Sequence, residues 1–302
     1  MALRLLFVLM MAAGYGVLTF ALAPGMMSPD ALFQYAQMKS GMISDLHPPV
    51  MIHLWKVIEP HIGGPAGLFL LEWVIYTVAV YLIVSTLSPY FLIRVVLATL
   101  FVAPPIVAVM MTIWKDSLML AFMMLAVASI LKIAVKPRIG WIAVALMCLW
   151  MVAALRHNAI LAVVPLIGCI FYLIPHFACR WCLMARTLIL SGAISLSTLY
   201  VNHLHVTHVA MLPTVAVWDL AAISLHEKEM LIPDYARRDK DMTLERLDEL
   251  FDPTSNVPLC RYTPHVGREV FCMEKIPLRA GEALPHDKVG QLRMDWLGTI
   301  AT

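Results

Sequence analysis

Long apolar runs separated by short polar breaks fill the first two-thirds of the chain. A helix needs about 20 apolar residues to cross a membrane, because the hydrocarbon core is roughly 30 Å thick and each residue rises about 1.5 Å. On that measure the pattern predicts about seven spans, over 3–23, 66–87, 91–113, 116–135, 140–155, 157–175 and 184–201. Pro104-Pro105 falls inside the third, where it predicts a kink and carbonyls that other donors must satisfy. Beyond residue 201 the pattern turns polar and predicts short helices over 214–224, 243–251 and 287–299, with a strand-like segment over 259–273. The expected fold is an all-α polytopic membrane domain over 1–201, followed by a small mixed region over 202–302.

Composition excludes a purely soluble or a disordered chain. Hydrophobic residues make up 61% and charged residues 14%, with a mean hydropathy of +0.80. Soluble domains run at roughly 45–50% and about 25%. Residues 1–201 carry a net charge of +6 and residues 202–302 a net charge of −4. No basic stripe with interleaved aromatics points to a nucleic acid. In the short loops, Arg4, Arg94, Lys132, Lys136, Arg138, Arg180 and Arg186 lie on one side, and Lys39, Lys56, Lys115 and Arg156 on the other. Lysine and arginine concentrate on the cytoplasmic side, so the N-terminus is expected inside and the C-terminal region outside, in a multi-pass inner (plasma) membrane. Ala21-Leu22-Ala23 also has the form of a signal-peptide ending, but the long apolar run and Pro24 favour an anchor.

The membrane part holds five acidic residues: Asp30, Asp45, Glu59, Glu72 and Asp116. Four fall in outer loops or at outer helix ends, and Glu72 falls about two turns into the second span. Charge near a bilayer is costly, so a one-sided collection marks a candidate site. Lys115 precedes Asp116, and Arg156-His157 opens the sixth span, which adds cations and a histidine to the same surface. Within the first outer loop, 24–65, Ser28-Pro29-Asp30 reads as a helix start that runs to about Lys39 and ends at Gly41. Leu32, Phe33, Ala36 and Met38 set against Gln34, Gln37 and Lys39 suggest that this helix lies along the membrane interface. Asp45-Leu46-His47-Pro48-Pro49 reads as a stiff turn, followed by an amphipathic stretch with Trp55. Asp30 can be a helix-start carboxylate worth about 0.3–1 kcal/mol or a general base. Asp45 and His47 can likewise serve a turn.

Other groups carry bland readings beside sharper ones. Cys148 and Cys169 fit as small packing residues within spans, and Cys179-x-x-Cys182 is a weak metal or redox signal. Cys260 and Cys272 lie in the outer region, where a disulfide between them is expected. His203, His205 and His208 suit a solvated interfacial segment better than a metal centre. Glu72 reads as a hydrogen-bonded bundle residue, with cavity lining as the alternative. Trp55, Trp73, Trp114 and Trp141 fall near span ends as an aromatic belt.

The run Asp30…Tyr35…Gly41…Asp45-Leu46-His47-Pro48-Pro49 after a first span resembles the first periplasmic loop of GT-C glycosyltransferases, in particular bacterial relatives of protein mannosyltransferases and lipid A sugar transferases. Lys115-Asp116 and Arg156-His157-Asn158 resemble later elements of the same layout. The resemblance covers about residues 1–200; the chain is shorter than such enzymes, and Ala31 stands where they commonly carry a second acid. It implies a polyprenyl-phosphate sugar as donor and a glycan, lipid or protein hydroxyl as acceptor. Asp30 would be the catalytic base. Lys115, Arg156 and His157 would bind the donor phosphate. Asp45, His47, Tyr35 and Asp116 would shape the pocket, order the acceptor, or, for Asp45 and His47, hold a divalent metal (Mg or Mn). No other cofactor is implied.

Overall fold

In a bilayer every backbone polar group needs an internal partner, and the helix supplies one within a single segment. The chain is accordingly mostly helical (78%). The computed structural model describes residues 2–174, 180–204, 206, 212–237, 241–254, 259 and 286–301. Four helices among them are long and apolar enough to cross a membrane: α1 (Ala2–Leu22), α4 (Ala66–Leu87), α7 (Lys115–Val135) and α10 (Arg180–His203). A fifth is reached if α5 (Phe91–Leu100) and α6 (Pro104–Met110), bent by 60°, count as one span. The apolar helices α8 (Ile139–Leu155) and α9 (Ile160–Tyr172) are shorter. The protein is thus membrane-embedded, with four to five helices of spanning length among the described residues, where the sequence pattern predicts seven. Exposed Leu3, Val17, Phe20, Leu161, Leu188 and Leu196 present apolar surface that suits lipid.

The chain divides into two compact units. The first comprises Met1–Gly41 and Pro48–His205, and the second Met42–His47 and Val206–Thr302. In the first, α7 packs along both α4 and α8, and α10 packs on α9 and α8. Trp55, Phe69, Trp73, Tyr76 and Leu118 are fully buried there.

The break at Pro104 shows how this unit satisfies a damaged helix. Neither proline can donate to the turn before it, which frees the carbonyls of Leu100 and Phe101. Ala103 N–H donates to Leu100 O at 3.2 Å, and the Tyr76 hydroxyl donates to Phe101 O at 2.7 Å. Val102 N–H turns to Thr99 O, and the Ala98 carbonyl it would have met accepts the Tyr15 hydroxyl at 2.7 Å. At the far end of α6, Trp73 Nε1 donates to Met110 O at 2.9 Å and Ser117 Oγ to Val109 O at 2.9 Å. The kink is held by side chains of three neighbouring helices. Tyr76→Phe should therefore lower stability by about 1–3 kcal/mol, the cost of stranding a shielded carbonyl. Thermal unfolding in detergent measures it; an unchanged midpoint would mean that the hydroxyl is dispensable.

The second unit has its own core. Ala216, Val217, Leu220 and Ala221 of α11 (Leu212–Glu227) pack with Leu247 of α12 (Leu244–Leu250) and Leu292 of α13 (His286–Ala301). Thr243 caps α12 by accepting from Arg246 N–H at 3.3 Å. Trp296 Nε1 donates to Asp219 Oδ2 at 3.0 Å, which ties α13 to α11. Tyr235 donates to Asp295, and burial together with that carboxylate raises the phenol's pKa. The segment 259–273, apart from Leu259, lies outside the described residues, and so do Cys260, Cys272, Cys179, His205 and His208.

Candidate functional site

The segment that follows α1 is positioned by a very short parallel pairing. β1 (Met26–Met27) pairs with β2 (Thr112–Ile113), with Met26 opposite Thr112 and Met27 opposite Ile113. Met26 N–H also donates to Met111 O at 2.8 Å. Gly25 makes the approach possible. It has φ +87°, and a Cβ there would lie 2.6 Å from the Phe69 ring and 3.0 Å from Ile113. The residues just beyond each strand are thereby brought side by side: Asp30 in the first turn of α2 (Pro29–Ser40), and Lys115 at the first position of α7. Lys115 Nζ stands 3.9 Å from Asp30 Oδ2.

A second ion pair forms one residue along. Asp116 pairs with Arg156, the residue that closes α8. Both partners also suit their helix ends, since a carboxylate is favoured at a helix N-terminus and a guanidinium at a C-terminus. The outer members of the two pairs are half-exposed, Asp30 at 43% and Arg156 at 45%. The inner members, Lys115 at 15% and Asp116 at 17%, are largely covered. Lys115-Asp116 thus forms a central dipeptide with an opposite charge on each side. His157 lies in the 3₁₀ turn His157–Ala159 that follows Arg156, and His203 ends α10. Asn202 Nδ2 donates to Ala154 O at 2.9 Å and fastens that helix end to α8. Asp30, Lys115, Asp116, Arg156, His157 and His203 all belong to the first unit.

Asp45 and His47 fall elsewhere. They lie in Met42–His47, which packs with the second unit. Tyr35 remains in the first unit but takes part in a different cluster. Its ring meets that of Trp55 at 4.9 Å between centroids, Lys39 Nζ sits 5.5 Å above it, and its hydroxyl reaches Glu59 Oε1 at 3.4 Å. Glu59 also pairs with Lys39 and accepts from Gly64 N–H at 3.1 Å, while Trp55 Nε1 donates to Gly64 O at 3.1 Å. This latch closes α2 onto α3 (Val50–Ile58) and the turn that follows.

Lys39 is the first cause holding the Glu59 carboxyl below its ordinary pKa, with Gly64 N–H and Tyr35 adding to it. Lys39 is raised in turn, chiefly by its hydrogen bond to Glu59. A depressed carboxyl stabilises the fold above its unfolded-state pKa, and that contribution is lost as pH falls through the lower folded-state value. A raised lysine stabilises below its ordinary range, and its contribution is lost as pH rises through its folded-state value. Hydrogen exchange at residues 59–64 should thus show extra opening, beyond the intrinsic pH effect, as pH drops below the carboxylate range. Glu59→Gln should remove that pH-dependent step, and a step that survives the substitution would assign it to another group.

Sequence reasoning missed two inner residues of α2. The interfacial reading of α2 places Gln34 and Gln37 on its wet side, yet both are buried, with Ala31 and Met38, while Leu32 and Ala36 are exposed. The helix itself matches expectation: Ser28 Oγ accepts from Ala31 N–H at 3.2 Å, and Gly41 ends it at φ +74°. The available signal for Gln34 was its position four residues after Asp30, on the same helical face. Among the described residues no three His, Cys, Asp or Glu side chains converge as a metal site. No family model matches the chain, and neither a curated protein nor a solved structure matches it.

Proposed function

We propose that this chain is a GT-C-type membrane glycosyltransferase that moves a sugar from a polyprenyl-phosphate donor to an acceptor hydroxyl at the extracytoplasmic face. The observation that carries this reading is the meeting of one half-exposed carboxylate, Asp30, with Lys115 and the Asp116–Arg156 pair at one end of the helical unit. The proposal includes a seven-span arrangement with α8 and α9 completing the bundle, a cytoplasmic N-terminus and an outer C-terminal region. It takes an undecaprenyl-phosphate-linked sugar as the donor.

The chemistry divides among these residues. The acceptor oxygen attacks the anomeric carbon, its proton passes to Asp30, and the bond from the anomeric carbon to the phosphate oxygen breaks. Positive character grows on the sugar and negative charge on the departing phosphate. A positioned base contributes about 10²–10⁴-fold. Cations fixed in a water-poor site favour the departing phosphate more in the transition state than in the ground state. Arg156 offers a planar fork of donors to phosphate oxygens, and Lys115 a point charge. His157 stands next to Arg156 as a further phosphate contact. Every step in this scheme uses protein groups.

The deciding experiment is transfer from radiolabelled undecaprenyl-phosphate sugars in membranes, comparing wild type with Asp30→Asn at matched expression. Transfer lost in the variant supports an enzyme with Asp30 as base. Absence of transfer in both, with lipid binding intact, would instead support a protein that binds or translocates lipid-linked sugars. One observation favours an ion-coupled version of that alternative: Glu72 is fully buried within α4, and neither carboxyl oxygen has a hydrogen-bond partner.

A further inference from the structure

α2 buries two amides that its pattern assigns to water. Ala31, Gln34, Gln37 and Met38 are its buried positions, and Leu32, Ala36, Lys39 and Ser40 its exposed ones. Residues 30, 34 and 37 follow one another along a single helical face. The stripe that begins with Asp30 therefore continues inward as two amides. Gln34 is 0% exposed, and neither its amide oxygen nor its amide nitrogen has a hydrogen-bond partner. A buried amide is ordinarily paired. Gln34 thus places hydrogen-bonding capacity where hydrocarbon would have been easier to bury.

We infer that Gln34 is a ligand-binding residue that reads the hydroxyl groups of a saccharide held at the site headed by Asp30. The inference rests on the function proposed above and extends it to the sugar. A primary amide presents a two-proton donor and a two-lone-pair acceptor in one plane. Adjacent sugar hydroxyls, each a donor and an acceptor, complement both ends at once, whereas a phosphate complements only the donor. Gln34 stands one turn, about 6 Å of helix rise, beyond the proposed base. That separation matches the span from a reacting sugar hydroxyl or anomeric centre to the far side of a single ring. Entry of the ring requires α2 to shift. Its main partners are α3 and β1, so the shift leaves the long helices in place.

The test measures binding to detergent-solubilised full-length protein. The probes are undecaprenyl phosphate alone, undecaprenyl-phosphate monosaccharides lacking single hydroxyls, and free mono- and disaccharides. Gln34→Met keeps length and removes the amide; Gln34→Leu serves as a second apolar replacement should methionine disturb packing. Melting of both variants should equal or exceed wild type, because no partner is lost. Wild type should prefer the sugar-bearing lipid to the bare lipid, and both variants should lose that preference about tenfold while binding bare undecaprenyl phosphate unchanged. Loss of one deoxy-sugar penalty in the variants would identify the hydroxyl read. Gln34-dependent binding of free saccharides, without binding of lipid-linked ones, would uphold the inference and overturn the lipid-donor reading. Saccharide binding that Gln34→Met and Gln34→Leu leave intact would overturn the inference alone. Absence of saccharide binding by wild type would overturn both, and a marked drop in the melting of both variants would assign Gln34 to structure.

Discussion

Asp30→Asn is expected to slow sugar transfer by roughly 10²–10⁴-fold, the contribution of a positioned general base, with little change in fold. Asparagine keeps the shape of the side chain, and the helix start survives because Ser28 supplies the cap. The expected structural loss is confined to the dipole and to the 3.9 Å approach of Lys115. At a half-exposed carboxylate these amount to about 0.3–1 kcal/mol from the dipole and less from the screened pair. Radiolabelled transfer and thermal melting, measured on the same preparation, separate the two effects. Glu72→Gln supplies the contrast. It preserves shape at a buried position whose carboxyl oxygens have no partner, and transfer should continue at the wild-type rate. Full transfer in Asp30→Asn together with abolished activity in Glu72→Gln would move the reaction centre into α4 and favour ion-coupled transport.

Arg156→Ala should lower turnover by about 10²–10³-fold, in the range found when one preorganised transition-state donor is removed. The substitution also leaves Asp116, 17% exposed, without its guanidinium. Stability should therefore fall slightly, and the discount for a half-exposed partner is large. Arg156→Lys separates charge from geometry. It restores the charge beside Asp116 but offers a point donor where the proposed phosphate would meet a fork, so melting should recover while turnover recovers only in part. The pattern to look for is a loss in kcat that exceeds any loss in donor-lipid binding. An effect confined to binding would remove Arg156 from leaving-group stabilisation and make it a docking contact.

The parts of this molecule that were readable from sequence are those governed by local rules. Ser28, Pro29 and Gly41 mark both ends of α2 because capping depends on immediate neighbours. Pro104-Pro105 announces the 60° break for the same reason. What answers the break was not readable. Tyr15 lies 83 residues from its acceptor and Tyr76 lies 25 from its own, and an apolar pattern treats both only as bulk. The inward face of α2 was misread because amphipathic reasoning assigns glutamine to water, an assumption that tertiary packing overrode. The pairing of Asp30 with Lys115 depends on strands two residues long, Met-Met and Thr-Ile, which carry no strand signal of their own. Asp45 and His47 sit close to Asp30 in sequence, yet the chain divides between them at Gly41. Helix ends inside continuous apolar runs were also hidden from the pattern, so that α8 has 17 residues and α9 has 13.

The parallel register of Met26 with Thr112 has a consequence in time as well as in space. During synthesis the N-terminal partner emerges 86 residues before its mate, and Arg156 follows 40 residues after Asp116. A nascent chain that extends only through α4 holds a carboxylate at position 30 with neither cation yet made. The charged constellation can therefore close only once residue 156, about half-way along the chain, has been made, and a chain halted after α4 carries the carboxylate without its partners.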